Sequence, residues 1–171
     1  MAGKILVAYA SKHGATADIA EKIGQLLSQE DLDADVMPAN QVGDVTQYDA
    51  FIIGSASYIG QWRKEASKFL GTNEKLIAGW PVWLFSSGPT GEGDAVELMK
   101  GWRFPGRLQP IIDRIKPRDI AIFHGSIDMK KLSFFEKLIV RAVKAPIGDF
   151  RDWNSITSWT KLIAGELKKQ G

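Results

Sequence analysis

The chain has 171 residues, 44% hydrophobic and 25% charged, with a net charge of +2, values that fit one globular domain spanning residues 1–171. It has no cysteine and two histidines, which excludes disulfides, thiol chemistry, iron–sulfur clusters and cysteine- or histidine-rich metal centres, so any electrons must move through an organic cofactor. The weak positive balance comes with no basic stripe interleaved with aromatics, so nucleic acid is not an expected partner. No apolar run approaches the ~20 residues that span a bilayer.

The sequence enters at once the apolar run Ile5-Leu6-Val7-Ala8-Tyr9. It lacks the basic region and cleavage site of a signal peptide, so a cytoplasmic location is expected. Residues 4–9 read as a buried strand, and a turn-rich segment follows. Ile19, Ala20, Ile23, Leu26 and Leu27 recur at helical spacing over residues 16–28. Residues 33–38 and 49–54 read as the second and third strands, the third stopped by Gly54. Trp62, Ala66, Phe69 and Leu70 form one face of a helix over 61–70, which assigns Trp62 to packing. The fourth strand is 81–85, broken by Ser86-Ser87-Gly88-Pro89. A polar, glycine-rich stretch leads to a helix over 108–115, and 119–123 is the fifth strand. Ile156, Trp159, Ile163 and Leu167 line the last helix, with Asn154 or Ser155 as its cap.

Strands alternating with helices predict an α/β fold, a doubly wound five-stranded parallel sheet in the order 2-1-3-4-5. Ligands on such sheets sit at the carboxyl ends of the strands, near the switch point between the first and third. The segment 124–152, between the fifth strand and the last helix, is too long for a bare connection. Leu132, Phe135, Leu138, Ile139, Ala142 and Val143 fall there at helical spacing, accompanied by Lys131, Lys137, Arg141 and Lys144. Residues 128–151 hold six basic and three acidic residues, a local charge of +3.

Three loops should meet at the ligand edge. The first is Ser11-Lys12-His13-Gly14-Ala15-Thr16, between a strand and a helix. Free N–H groups and the positive dipole end suit a phosphate there, Ser11 and Thr16 add hydroxyls, and Gly14 lets the backbone wrap closely. It is neither a Walker loop nor a dinucleotide fingerprint. Taken alone, it reads equally as a capped turn with no ligand. The second loop contains Ser57-Tyr58-Ile59-Gly60, where Tyr58 and Ile59 can wall a flat heteroaromatic ring. The third is Ser86-Ser87-Gly88-Pro89, whose small residues let backbone approach a ring edge. His13 is a candidate proton donor, weighed against a solvent-facing loop histidine. His124 ends the fifth strand on the same edge, with no role assigned.

These loops resemble those of flavodoxin-like proteins. The first resembles the flavodoxin phosphate loop, residues 52–66 its second flavin loop, and 84–89 its third. The tail Gly148-Asp149-Phe150-Arg151-Asp152-Trp153 and the following helix resemble the branch that includes the menaquinone-dependent protoporphyrinogen oxidases. The resemblance implies one noncovalent FMN. Ser11 and Thr16, with the amides from Lys12 to Thr16, would hold the phosphate. Ser57, Tyr58, Ile59 and Gly60 would line one side of the isoalloxazine. Ser86, Ser87, Gly88 and Pro89 would meet its pyrimidine edge. The chain departs from the usual pattern in its positive charge, in the position of its insert, and in lacking an aromatic wall between Ser86 and Thr90.

Three readings of function follow. One is an FMN oxidoreductase that oxidises protoporphyrinogen or a related substrate with a quinone acceptor. Its basic insert would pair with propionates or touch the inner membrane face peripherally. The second is an electron shuttle between redox partner proteins. The third is a flavodoxin-like binding module without FMN, which the Ser11, Gly14 and Thr16 pattern opposes.

Overall fold

The structure, a computed structural model, describes residues 3–171. Five parallel strands form its centre: β1 (Ile5–Ala10), β2 (Ala34–Pro38), β3 (Ala50–Tyr58), β5 (Val82–Ser87) and β6 (Asp119–Phe123). Their order is β2-β1-β3-β5-β6, and β4 (Gln61–Trp62) pairs antiparallel with the end of β3. The expected doubly wound order is therefore present. Four helices cover the two faces: α1 (Ala15–Gln29), α2 (Lys64–Ile77), α4 (Gln109–Ile115) and α6 (Trp153–Lys169). A single turn, α3 (Ala95–Leu98), lies in the glycine-rich stretch after β5.

Alternation along each strand divides the core. Leu6, Ala8, Phe51, Ile53 and Leu84 pack on one side with Phe69 and Leu70 of α2 and Ile112 and Ile115 of α4. Ile5, Val7, Ile52, Trp83 and Phe85 pack on the other with Ile19 and Ile23 of α1 and Ile156 and Ile163 of α6. Both faces are buried, which is why the strands are nearly continuous apolar runs.

Four local expectations need correction. The fourth strand is not broken at Ser86 but keeps its ladder pairing through Ser87. The third strand does not stop at Gly54 but runs on to Tyr58. A Cβ on Gly54 would fall inside the Phe85 ring. The glycine makes room for an aromatic on the neighbouring strand, and the ladder continues past it. Trp62 lies in β4, not in a helix, because α2 begins only at Lys64. It is buried all the same, at 3% exposure. The cap of α6 is Asp152, whose carboxylate accepts from the N–H groups of Asn154 and Ser155. A charged acceptor at a helix start gains from the dipole as well as from the bonds.

The insert is pinched at its base. β7 (Ser126–Ile127) and β8 (Gly148–Asp149) pair antiparallel, and between them stands α5 (Phe134–Ala142). Ser133 and Glu136 form a reciprocal capping box that starts α5.

Candidate functional site

The carboxyl ends of β1, β3 and β5 lie side by side, at the switch point where the chain leaves β1 for β2 on one side and β3 on the other. The first loop leaves β1 and enters α1 through Gly14, whose φ of 94° is left-handed and favours glycine. The Gly14 N–H donates to Ser11 Oγ at 3.1 Å. Among the described residues no side chain caps the start of α1. Gly14 and Ala17, at the start of the helix, line the cleft beside the loop. That cleft holds about 300 Å³ and is lined by Tyr9, Ser11, Lys12, Gly14, Asn40 and Glu65, among others.

The second and third loops are strand ends rather than free loops. Tyr58 pairs with Gln61, leaving Ile59 and Gly60 as a two-residue hairpin turn with φ of 50° and 67°. A tight hairpin of this length needs positive φ at its centre. Glycine accepts it freely, but a β-branched isoleucine is strained there. Tyr58 and Ile59 stand 42% and 74% exposed at the tip. Trp102 reaches the same tip, with its indole Nε1 3.8 Å from where a Gly60 Cβ would be.

Hydroxyl groups tie the three loops together. Thr16 is buried, and its Oγ1 lies 2.7 Å from Ser87 Oγ, joining the first loop to the third. Ser86 Oγ accepts from the Trp62 indole at 2.7 Å and donates to the Arg103 carbonyl at 2.9 Å. Its hydroxyl is therefore engaged inward. Gly88 lies so close to the second loop that a Cβ would sit 3.0 Å from the Ser57 carbonyl oxygen. Its N–H donates to the Phe123 carbonyl, while the Pro89 carbonyl accepts from Gly125. His124 Nε2 sits 2.8 Å from the Gly93 carbonyl and braces the chain just after this loop. Of the predicted site residues, Ser11, Lys12 and Gly14 line the cleft, His13 turns to the insert, Tyr58 and Ile59 stand exposed at the hairpin tip, and Thr16, Ser86 and Ser87 are buried.

The insert grips the first loop. Glu136 is 6% exposed, and its carboxylate pairs with Lys12 Nζ and lies 3.1 Å from His13 Nε2. Lys131 Nζ donates to the His13 carbonyl at 3.4 Å. Arg151 donates to the Ala15 carbonyl and to Asp18, and forks onto both oxygens of Asp149 at 2.8 and 2.7 Å. Burial, reinforced by Lys12, Arg63 and Lys131, pushes the His13 imidazole below its ordinary value. A neutral ring pairs with the Glu136 carboxylate by carrying its proton on Nε2. His13 is accordingly turned to the insert rather than to solvent.

Glu136, Arg151, Lys131 and Trp102 were not singled out as site residues from sequence. The Ser133-x-x-Glu136 spacing does signal a helix start. Nothing local shows that the same carboxylate would reach Lys12 and His13 across the fold.

Residues 6–153 match the family model described as Flavodoxin domain. No curated protein matches the chain at a significant level. A flavodoxin from the domain Archaea superposes with a TM-score of 0.62 at 16% identity, covering 96% of this chain and 99% of that one. A rubredoxin oxygen:oxidoreductase from Desulfovibrio gigas gives 0.61 at 13% identity, with 97% of this chain matching 36% of that enzyme. A mutant Fusobacterium nucleatum flavodoxin bound to flavin mononucleotide gives 0.50 at 19% identity, over 71% of this chain and 69% of that one. At such identities the structural likeness speaks for the fold alone, and the family model, which spans most of the sequence, goes further: the chain belongs to the flavodoxin domain family.

Proposed function

We propose that the chain binds one FMN noncovalently and works as an FMN-dependent oxidoreductase, with protoporphyrinogen or a related porphyrinogen as substrate and a quinone as acceptor. The observation that carries the flavin reading is the convergence of residues 11–16, 57–60 and 86–89 at the switch point, linked by the Thr16–Ser87 hydroxyl pair. The uncapped start of α1 fits a phosphate. Glu65 Oε2, buried without a partner in a residue that lines the same cleft, fits as acceptor for a ribityl hydroxyl. Bound FMN supplies one- and two-electron chemistry on its isoalloxazine ring.

The residues divide the work. The amides from Lys12 to Thr16 and the hydroxyls of Ser11 and Thr16 would hold the phosphate, with Thr16 Oγ1 also paired to Ser87 Oγ. Lys12 supplies a cation. Tyr58 and Ile59 exclude water from one ring face. The Ile59–Gly60 peptide sits at the centre of the hairpin turn, where its orientation would set the group offered to the ring edge. The third loop meets the opposite edge with backbone. Lys131, beside the first loop, supports the porphyrinogen reading, since propionates need cations close to the ring.

The exposed hairpin tip favours a second reading, an electron shuttle whose ring edge is open to a partner protein. Anaerobic reductive titration of FMN-loaded protein separates the two. Direct passage from oxidised to fully reduced flavin, with quinone-dependent porphyrinogen oxidation above the rate of free FMN, supports the oxidase. Reduction in two resolved one-electron steps with no porphyrinogen turnover supports the shuttle. Failure to take up FMN contradicts both.

A further inference from the structure

Among the described residues no helix is long and apolar enough to cross a membrane, yet the insert turns large apolar side chains outward. Phe134 and Phe135 are 71% and 75% exposed, and their rings meet edge to face. Leu138 follows on the same helix face, and Val143 and Ile147 are exposed beyond it. Over residues 130–147 the basic side chains are Lys130, Lys131, Lys137, Arg141 and Lys144, and the sole acid is Glu136. Glu136 is buried against Lys12 and His13. The insert's own charged side chains over this stretch are therefore all cationic apart from the buried Glu136, with Lys131 turned to the first loop. Scattered exposed hydrophobics are ordinary, whereas an adjacent exposed phenylalanine pair within a cationic segment is the composition of an interaction surface.

We propose that this face docks on an anionic lipid bilayer, with Phe134, Phe135 and Leu138 entering the interfacial region and the cations on lipid phosphates. The composition selects this occupant. Lysine is depleted from protein–protein interfaces, whereas four of the five cations here are lysines whose stems can snorkel. A second copy of the chain would bring two faces of like charge together. Docking through α5 holds residues 11–16 close to the bilayer, because Glu136 and Lys131 join α5 and its approach to Lys12 and His13. Apolar redox molecules dissolved in the bilayer then lie within reach. The surface stands without the flavin reading and goes beyond it.

The test is cosedimentation of the full chain with vesicles of phosphatidylcholine alone or mixed with phosphatidylglycerol. Expected is binding to the mixed vesicles only, reversed by raised salt. Replacing both aromatics (Phe134→Ser with Phe135→Ser) should weaken it about tenfold or more. Lys137→Gln and Lys144→Gln should each cost roughly fivefold. Unchanged circular dichroism confirms that the variants fold. No binding to mixed vesicles, equal binding to phosphatidylcholine alone, or undiminished binding by the double phenylalanine variant would overturn the proposal. So would self-association in solution that the double variant abolishes, since it assigns the face to a second copy. Flavin uptake on the same samples keeps the two proposals apart: vesicle binding without flavin uptake sinks the flavin reading and leaves docking intact.

Discussion

Two segments border the same sheet edge, and they are held there by different physics. The loops after β1, β3 and β5 inherit their positions from the strand ladder, and buried hydroxyls lock them to one another. The insert is tied at its base by β7 and β8 and reaches the first loop through charged side chains, above all Glu136 and Arg151. A ladder fixes backbone cooperatively, whereas a charged contact depends on ionisation and on a few rotamers. The contrast predicts a rigid binding edge beside an insert that opens at lower cost.

The largest effects should come from breaking the rigid side. Gly54→Val would drive a side chain into Phe85 beneath the edge. The expected cost is about 3 kcal/mol or more, read as a fall in the denaturant midpoint. Near-wild-type stability would show that β3 and β5 are not packed as described. Thr16→Glu places an unpaired carboxylate in a buried position beside Ser87 and the proposed phosphate. Flavin affinity should fall roughly hundredfold or more in protein that still folds by circular dichroism. Retained flavin would mean that the phosphate binds elsewhere.

Smaller effects probe the insert. Glu136→Ala removes the second half of the capping box and leaves Lys12 and His13 without their carboxylate. Faster hydrogen exchange is expected across residues 129–147 by about tenfold, with β1 and β3 unchanged. Uniform loosening of the sheet would contradict the division. Acid should act on the base of the insert as well. The Arg151 hydrogen bond holds Asp149 below the ordinary aspartate value of 3.8. The Ser155 hydroxyl and N–H likewise lower Asp152. For carboxylates with lowered folded values, the stabilisation is complete above the unfolded value and is lost as pH falls through the folded one. Exchange protection at β8 and the start of α6 should therefore weaken below about pH 3.8. The smallest expected change is from Ile59→Gly, which relieves the left-handed strain of the hairpin. A gain of about 1 kcal/mol would sharpen the view that this turn stores strain at the rim.

The same contrast governs what the sequence reveals. Sheet order, strand and helix types and the three loops follow from apolar periodicity and turn residues, which act locally. Gly54 misleads because its reason is Phe85 on another strand, so a residue that permits close packing reads as a stop. Trp62 reads correctly as buried but in the wrong element, since two residues of hairpin carry too little pattern to identify. Asp152 outcompetes Asn154 and Ser155 as a cap through its charge and its position two and three residues ahead of them. The grip of Glu136 on Lys12 and His13 lies beyond local reading, because its partners are separated from it by most of the fold.

The central claim is that the edge built by residues 11–16, 57–60 and 86–89 is an FMN site anchored by its phosphate. Titrating the purified chain with FMN and with riboflavin, followed by flavin fluorescence quenching, tests it most directly. Charge-assisted bonds to loop amides predict FMN binding about hundredfold tighter than riboflavin. Equal affinity for the two, or uptake of neither, would contradict the account.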